Sequence, residues 1–339
     1  MTNTLNSLSP ETQAYLHKGL LKRVMHTLVL NRFIDMPSSV PQGTGTKSIK
    51  WSRYDSLPLA LAPLGDGTAP AGMQMTRTDI TATLEQLGGI VEITDQVEDF
   101  HQHPVLKEAR DQLAQMVAET KEYRAFAIMK AGTNVMYGGT GTDRATVNGP
   151  ITRALLYRAQ RALADAKAKT ISKIIKASTS VSTEPVAEAY FCFGHTDLYA
   201  DLRAITGFVD VEQYSDSDGR LPMEVGKILN FRFILSPMFT PWLAAATSSS
   251  GSTYLTNGTT GTGYPDVYPL IVKAANSFGG VSLAGKDSVS FFVKPPGEAT
   301  VGNELGQKGF ASCKWYDQYA ILNQSHILRL EVAATQSPT

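Results

Sequence analysis

The sequence predicts an α+β fold in which one long helix joins a projecting two-stranded hairpin to a larger mixed lobe. Three observations carry that prediction. An uninterrupted segment from Pro104 to Lys130 repeats its apolar residues at helical spacing, residues from Ser48 to Ile93 alternate at strand spacing, and several short strand-like runs follow Ala187. The chain has 339 residues, 42% hydrophobic and 18% charged, which suits about two ordered domains with a sizeable core.

The long helix is the best defined element. Pro104 suits a first helical position, Glu108 complements the positive helix end, and Lys130 sits in the last turn before Gly132, expected as a left-handed cap. Leu106, Ala109, Leu113, Met116, Val117 and Thr120 form one apolar stripe. Lys107, Asp111, Gln115, Glu119 and Glu122 are expected on the opposite, wet face, and Phe126 to Met129 is apolar all round. At 1.5 Å per residue such a helix spans about 40 Å, the width of a domain. It reads as a spine between two lobes.

Before it, Ser9-Pro10 opens an expected first helix with Tyr15, Leu16, Leu20, Val24, Leu28 and Phe33 on one side. Met36 to Thr46, rich in Pro, Ser, Gly and Thr, reads as a linker. A flexibly attached arm and a packed helix are both compatible with this pattern. The start of the chain lacks the pattern of a signal peptide, and no apolar run reaches membrane-spanning length, so the expectation is a protein made in the cytoplasm with no membrane partner.

From Ser48 the chain alternates. Ile49 and Trp51 share a face, as do Leu57, Leu59 and Leu61, then Ile80, Ala82 and Leu84. Turn residues at Leu64-Gly65-Asp66-Gly67 and Pro70-Ala71-Gly72 separate the two arms. A two-stranded projection has little core of its own and is marginal alone in water, so it needs a neighbour to lie on. Residues 1 to 50 carry six Lys or Arg against Glu11 and Asp35, a net +4. Residues 51 to 100 carry Arg53 and Arg77 against eight acidic residues, a net −6. Complementary surfaces, either within one chain or between copies, would produce this balance, and so would independent solvated faces.

After the helix, Thr152 is expected to cap a helix running to about Lys169, with Leu155, Leu156, Ala159, Leu163 and Ala166 inward. Residues 151 to 180 hold seven Lys or Arg against Asp165, which fits phosphate contacts or simply a solvated face. Ala187–Phe193, Ile228–Leu235, Tyr268–Ala274 and Val289–Val293 read as strands, His195–Ile205 as a short helix capped by Thr196, and Tyr316–Val332 as a returning terminal segment. Thr247 to Tyr264 is a polar loop.

The chemistry of a catalyst is not apparent. His101-Gln102-His103 lacks the spacing of a zinc site, the Gly-rich runs lack the Gly-Lys-Ser/Thr of a P-loop, and His195 with Asp197 and Asp201 has no serine elbow beside it. Two cysteines, Cys192 and Cys313, make no disulfide framework. The formal net charge of zero creates no global field towards nucleic acid. Expected catalytic, cofactor and metal residues are none.

The order of parts, with Thr46-Lys47-Ser48-Ile49-Lys50-Trp51-Ser52-Arg53-Tyr54, Leu64-Gly65-Asp66-Gly67-Thr68-Ala69-Pro70 and Gly89-Ile90-Val91-Glu92-Ile93-Thr94-Asp95, resembles a tailed-bacteriophage major capsid protein of the Hong Kong 97-type fold. Ala131-Gly132-Thr133-Asn134-Val135, His195-Thr196-Asp197-Leu198, Asp201-Leu202-Arg203, Gly226-Lys227, Arg232-Phe233 and Trp315 to Arg329 extend the similarity towards the family typified by coliphage N-four.

The resemblance implies a structural subunit that forms hexamers and pentamers of an icosahedral head around double-stranded DNA. It divides the chain into an N-terminal arm (1–47), an extended loop (48–98), a peripheral domain (99–150 with 315–339) and an axial domain (151–314). Inter-subunit contacts would fall on Arg53, Leu57, Leu59, Leu61, Arg77, Ile80 and Glu92. Separate scaffolding, portal and decoration proteins would be partners, and the virion the location. Residues 51 to 100 contain no lysine, so covalent lysine–asparagine crosslinking through the loop is not expected, nor is a long helical prodomain before it. An encapsulin-like compartment shell shares the fold and is the alternative; a hydrolase using His195, Asp197 and Asp201 is the distant one.

Overall fold

In the computed structural model the described residues are 29–43, 45–61, 63, 67, 71–100, 105–175, 183–214, 220–247, 254–256, 264–286, 289–299 and 303–336. The expected first helix before Val29, the His101–His103 cluster and most of the 247–264 loop lie outside them. In chain order come β1 (Met36–Val40), β2 (Ser48–Tyr54), β3 (Arg77–Thr83), β4 (Glu85–Thr94), α1 (Asp95–Phe100), α2 (Val105–Lys130) and β5 (Val135–Tyr137). Then follow α3 (Arg153–Asp165), β6 (Ile171–Ile175), β7 (Thr183–Gly194), α4 (Tyr199–Ala204), β8 (Val209–Asp210), β9 (Glu224–Ile228) and β10 (Phe231–Leu235). The chain closes with β11 (Val267–Lys273), β12 (Phe278–Leu283), β13 (Ser290–Lys294), β14 (Lys308–Ile321) and β15 (Ile327–Ala333).

The chain divides into two compact units. The larger takes Thr27–Leu87, Ala118–Ser288 and Tyr316–Thr339. Its main sheet has the order β5-β15-β11-β7-β10-β9-β8, with β6 on β7. Strand period two sorts the core: Tyr190, Cys192, Phe231, Phe233, Leu270 and Leu330 pack with Leu155, Leu156, Ala159 and Leu163 of α3. Phe191, Phe193, Ile234 and Ile271 take the other face with Phe126 and Met129 of α2. Because both faces are covered, β10, β11 and β15 are buried throughout, which is why they read as apolar runs. The expected 314/315 domain boundary falls inside β14, and β15 pairs with β11 along its whole length.

In the smaller unit, Gly88–Val117 and Val289–Trp315, the β13 strand pairs with β14 through Phe291↔Cys313. Gly88 and Gly89 let β4 approach closely: an added Cβ would stand 2.8 Å from the Cys313 carbonyl oxygen and 2.7 Å from Met116 Cε.

Five expectations give way, three of them to longer-range contacts. Glu122, expected wet, is 1% exposed and accepts the N–H groups of Val29 and Leu30 at 3.1–3.2 Å. Burial pushes its carboxyl up, and those two amides oppose the shift. Gly132 is not left-handed; instead Arg329 donates to the carbonyls of Lys130 and Gly132, closing the helix end from a distant strand. The expected linker contains β1, which pairs in parallel with β12, and Asp35 just before it meets the buried Lys273 ammonium at 2.7 Å. His195, not Thr196, caps the chain here, and what it caps is the 3-10 turn Thr196–Leu198 that leads into α4, its Nδ1 accepting from Asp197 N–H at 3.2 Å. Thr152 does cap α3, accepting from Leu155 N–H at 3.3 Å, and Ile228–Leu235 is a hairpin turning at Leu229 rather than one strand.

Candidate assembly surface

The hairpin is built in two parts with opposite properties. Its base is a β2–β3 ladder from Ser48↔Thr83 to Tyr54↔Arg77. Ile49, Trp51 and Ala82 lie on one face and pack with Val40, Leu84, Val281, Leu283, Tyr316 and Ala320. The Trp51 indole N–H also donates to Ser38 Oγ at 3.2 Å. On the opposite face Asp79 receives Lys50 at 2.6 Å and Arg77 at 3.0 Å. Those partners hold its carboxyl down at about 2, with the Lys50 hydrogen bond first among the causes, then Ser52. This clamp fixes register at the root.

Beyond Tyr54 the ladder stops. Residues 55–61 and 71–76 form neither strand nor helix, and Asp55 N–H to Thr76 O at 2.9 Å is the last backbone bridge across the described part. Leu57 is 49% exposed, Leu59 81%, Leu61 83%, Met73 49% and Met75 66%. An arm carrying so much apolar surface in water is an unfavourable arrangement for an isolated chain.

The structure thus gathers Arg53, Leu57, Leu59, Leu61 and Arg77 on one projection. Arg53 and Arg77 are about half exposed but already have partners in the hairpin, Asp55 at 3.7 Å and Asp79 at 3.0 Å. Ile80 is different: it opposes Trp51 on the packed face and is partly buried. Glu92 is exposed on β4, in the smaller unit. Sequence reasoning missed Tyr54, Met73 and Met75, although Met73 and Met75 alternate around Gln74 as the leucines do. It also missed Ile90, Phe292, Val293 and Leu305, exposed apolar residues of the smaller unit.

The histidine–aspartate set is tied into the chain by hydrogen bonds. Asp197 accepts the Tyr268 hydroxyl at 2.8 Å, and the buried Asp201 accepts Thr335 N–H at 2.8 Å. His195 Nδ1 lies 3.2 Å from the Asp197 backbone nitrogen, as a cap, and 3.1 Å from Asp197 Oδ2. Burial pushes the Cys192 thiol up, opposite to a reactive cysteine. Among the described residues no three His, Cys, Asp or Glu side chains gather as metal ligands, and no helix is long and apolar enough to cross a membrane.

Comparison with known proteins agrees with this geometry. The family model described as phage capsid protein matches residues 77–294, more than half of the chain. The major capsid protein of Pseudomonas phage KPP21 is 23% identical over 279 residues, covering 76% of this chain and 68% of that one. Among solved structures, the capsid of Ralstonia phage GP4 superposes with a TM-score of 0.68 at 11% identity, covering both chains in full. The capsid of cyanophage P-SCSP1u gives 0.62 at 14% identity, over 94% of this chain and 92% of that one. The head of Helicobacter pylori bacteriophage KHP40 gives 0.62 at 12% identity, over 98% of each. The α+β fold is thus the Hong Kong 97-type fold of phage capsids. A chain with this fold, matched over most of its length by that family model, belongs to the phage capsid protein family.

Proposed function

We propose that copies of this chain assemble as hexamers and pentamers into an icosahedral phage head enclosing double-stranded DNA, and that the hairpin arm of each copy lies on its neighbour. The observation that carries the reading is the pairing of a clamped base with a bare tip, Leu59 and Leu61 being more than four-fifths exposed. A neighbour's surface removes that apolar area from water, and closed symmetry lets every copy do the same. In this reading 48–98 is the extended loop, 99–150 with 315–339 the peripheral domain, and 151–314 the axial domain at capsomer centres. Arg53 and Arg77 flank this contact, Ile80 supports its base against Trp51, and Glu92 offers a separate contact on the smaller unit.

The subunit acts structurally rather than as an enzyme, without cofactor, and resides in the virion. Scaffolding, portal and decoration proteins are separate chains. Covalent crosslinking by the loop is not part of the reading, since no lysine lies in 51–100 and the Lys50 amine is held by Asp79. Electron microscopy of the concentrated protein, with analysis of contents in native particles, tests it. Shells holding DNA are expected; shells holding protein cargo would favour an encapsulin-like compartment, and small particles under all conditions would overturn the shell.

A further inference from the structure

The α3 helix, the turn after it and β6 carry exposed cations that the capsid reading leaves unused. Leu155, Leu156, Ala159 and Leu163 bury one side. Arg158, Arg161, Lys167, Lys169 and Lys173 are all exposed on the rest of the segment. Arg158 and Arg161 stand three residues apart, so they are neighbours on the helix surface. Among the described residues no carboxylate lies within ion-pair distance of any of the five, although Arg53, Arg77, Arg124, Arg144, Arg203 and Arg232 all have one. Asp165 is the one acid within the helix.

A second feature marks the same place. Lys167 has φ of 53°, and the bonds Lys167 N–H to Ala164 O and Ala168 N–H to Leu163 O, each 2.9 Å, form the helix-ending turn that glycine normally occupies. A side chain there is strained.

We infer that this face binds the phosphate backbone of duplex DNA, without reading sequence. The inference rests on the proposed head, whose interior supplies that ligand. Phosphate contact requires only placed cations, whereas an acidic peptide needs apolar anchors, and Tyr157, half-exposed and 5.5 Å from Arg153, is the sole large apolar side chain exposed on the helix. Base-reading is not built in.

The test measures binding of the full-length protein to a random 30-base-pair duplex by anisotropy across a salt series, alongside electron microscopy of assembly. Each phosphate contact contributes about 0.9 to the slope of log K against log salt. Substituting Arg158, Arg161 and Lys169 by Gln should lower the slope by about 2.7, while Gln at Lys107, Lys286 and Lys308 should leave it unchanged. Lys167→Gly should raise the thermal midpoint yet lower the slope by about 0.9, a split no packing role produces. No duplex binding, an unchanged slope in the triple variant, or tighter binding of poly-glutamate than of DNA would overturn the inference while shells still form. Loss of shells from the unsubstituted protein would instead overturn the reading it rests on.

Discussion

Replacing Leu59 and Leu61 by Ser should abolish assembly at working concentrations while leaving the unassembled chain as stable as before. Full burial of a leucine contributes about 1.5–3 kcal/mol. With 81% and 83% of these side chains still exposed, almost all of that gain remains to be made on a partner. Together they provide about 2.5–5 kcal/mol per subunit contact. At 1.4 kcal/mol per tenfold, the concentration needed for assembly should rise on the order of 10²- to 10³-fold. Both leucines are largely exposed in their own chain, so the free energy of unfolding should move by no more than about 0.5 kcal/mol. Light scattering against concentration gives the first quantity and urea titration of the unassembled protein the second. Assembly at the original concentration, or a large loss of stability in the free chain, would refute the reasoning.

Other groups lead to separate expectations. Asp35→Ala strands the fully buried Lys273 ammonium and should cost about 3–5 kcal/mol, whereas adding Lys273→Met should recover much of the loss, as urea unfolding would measure. Glu122 has its folded carboxyl raised by burial, so its favourable contribution is complete below the ordinary carboxylate range and is lost as pH rises through the raised value. Unfolding free energy compared between Glu122→Gln and the unsubstituted protein should therefore shift in the variant's favour as pH rises across that window; a difference constant with pH would contradict it. Changing both Arg53 and Arg77 to Glu should impair assembly more at low salt than at high, since exposed charges are screened within about 10 Å at 0.1 M. Equal scattering at both salts would remove charge from the contact.

Local chemistry made much of the fold legible. The α2 helix runs from Val105 to Lys130 because its apolar spacing is continuous and Pro104 precedes it, and α3 begins where Thr152 can cap it. What escaped was settled by partners far along the chain. β1 has the composition of a linker, Pro37-Ser38-Ser39, and becomes a strand only because the glycine-bearing β12 runs beside it. Glu122 reads as a wet residue until Val29 and Leu30 bring their amides to it, some ninety residues away. At the helix end, Arg329 does what a glycine was expected to do.

The hairpin shows the same division. Alternation identified Leu57, Leu59 and Leu61 as one surface, but not that the ladder stops at Tyr54, because pairing depends on both strands reaching each other. Ile80 alternates in the same way yet faces Trp51 within its own chain.

Oxidative footprinting of Met73 and Met75, 49% and 66% exposed in the free chain, tests the arm's role most directly. Both should oxidise rapidly in unassembled protein and become protected once shells form. Equal oxidation before and after assembly would mean that the arm does not dock on a neighbouring copy.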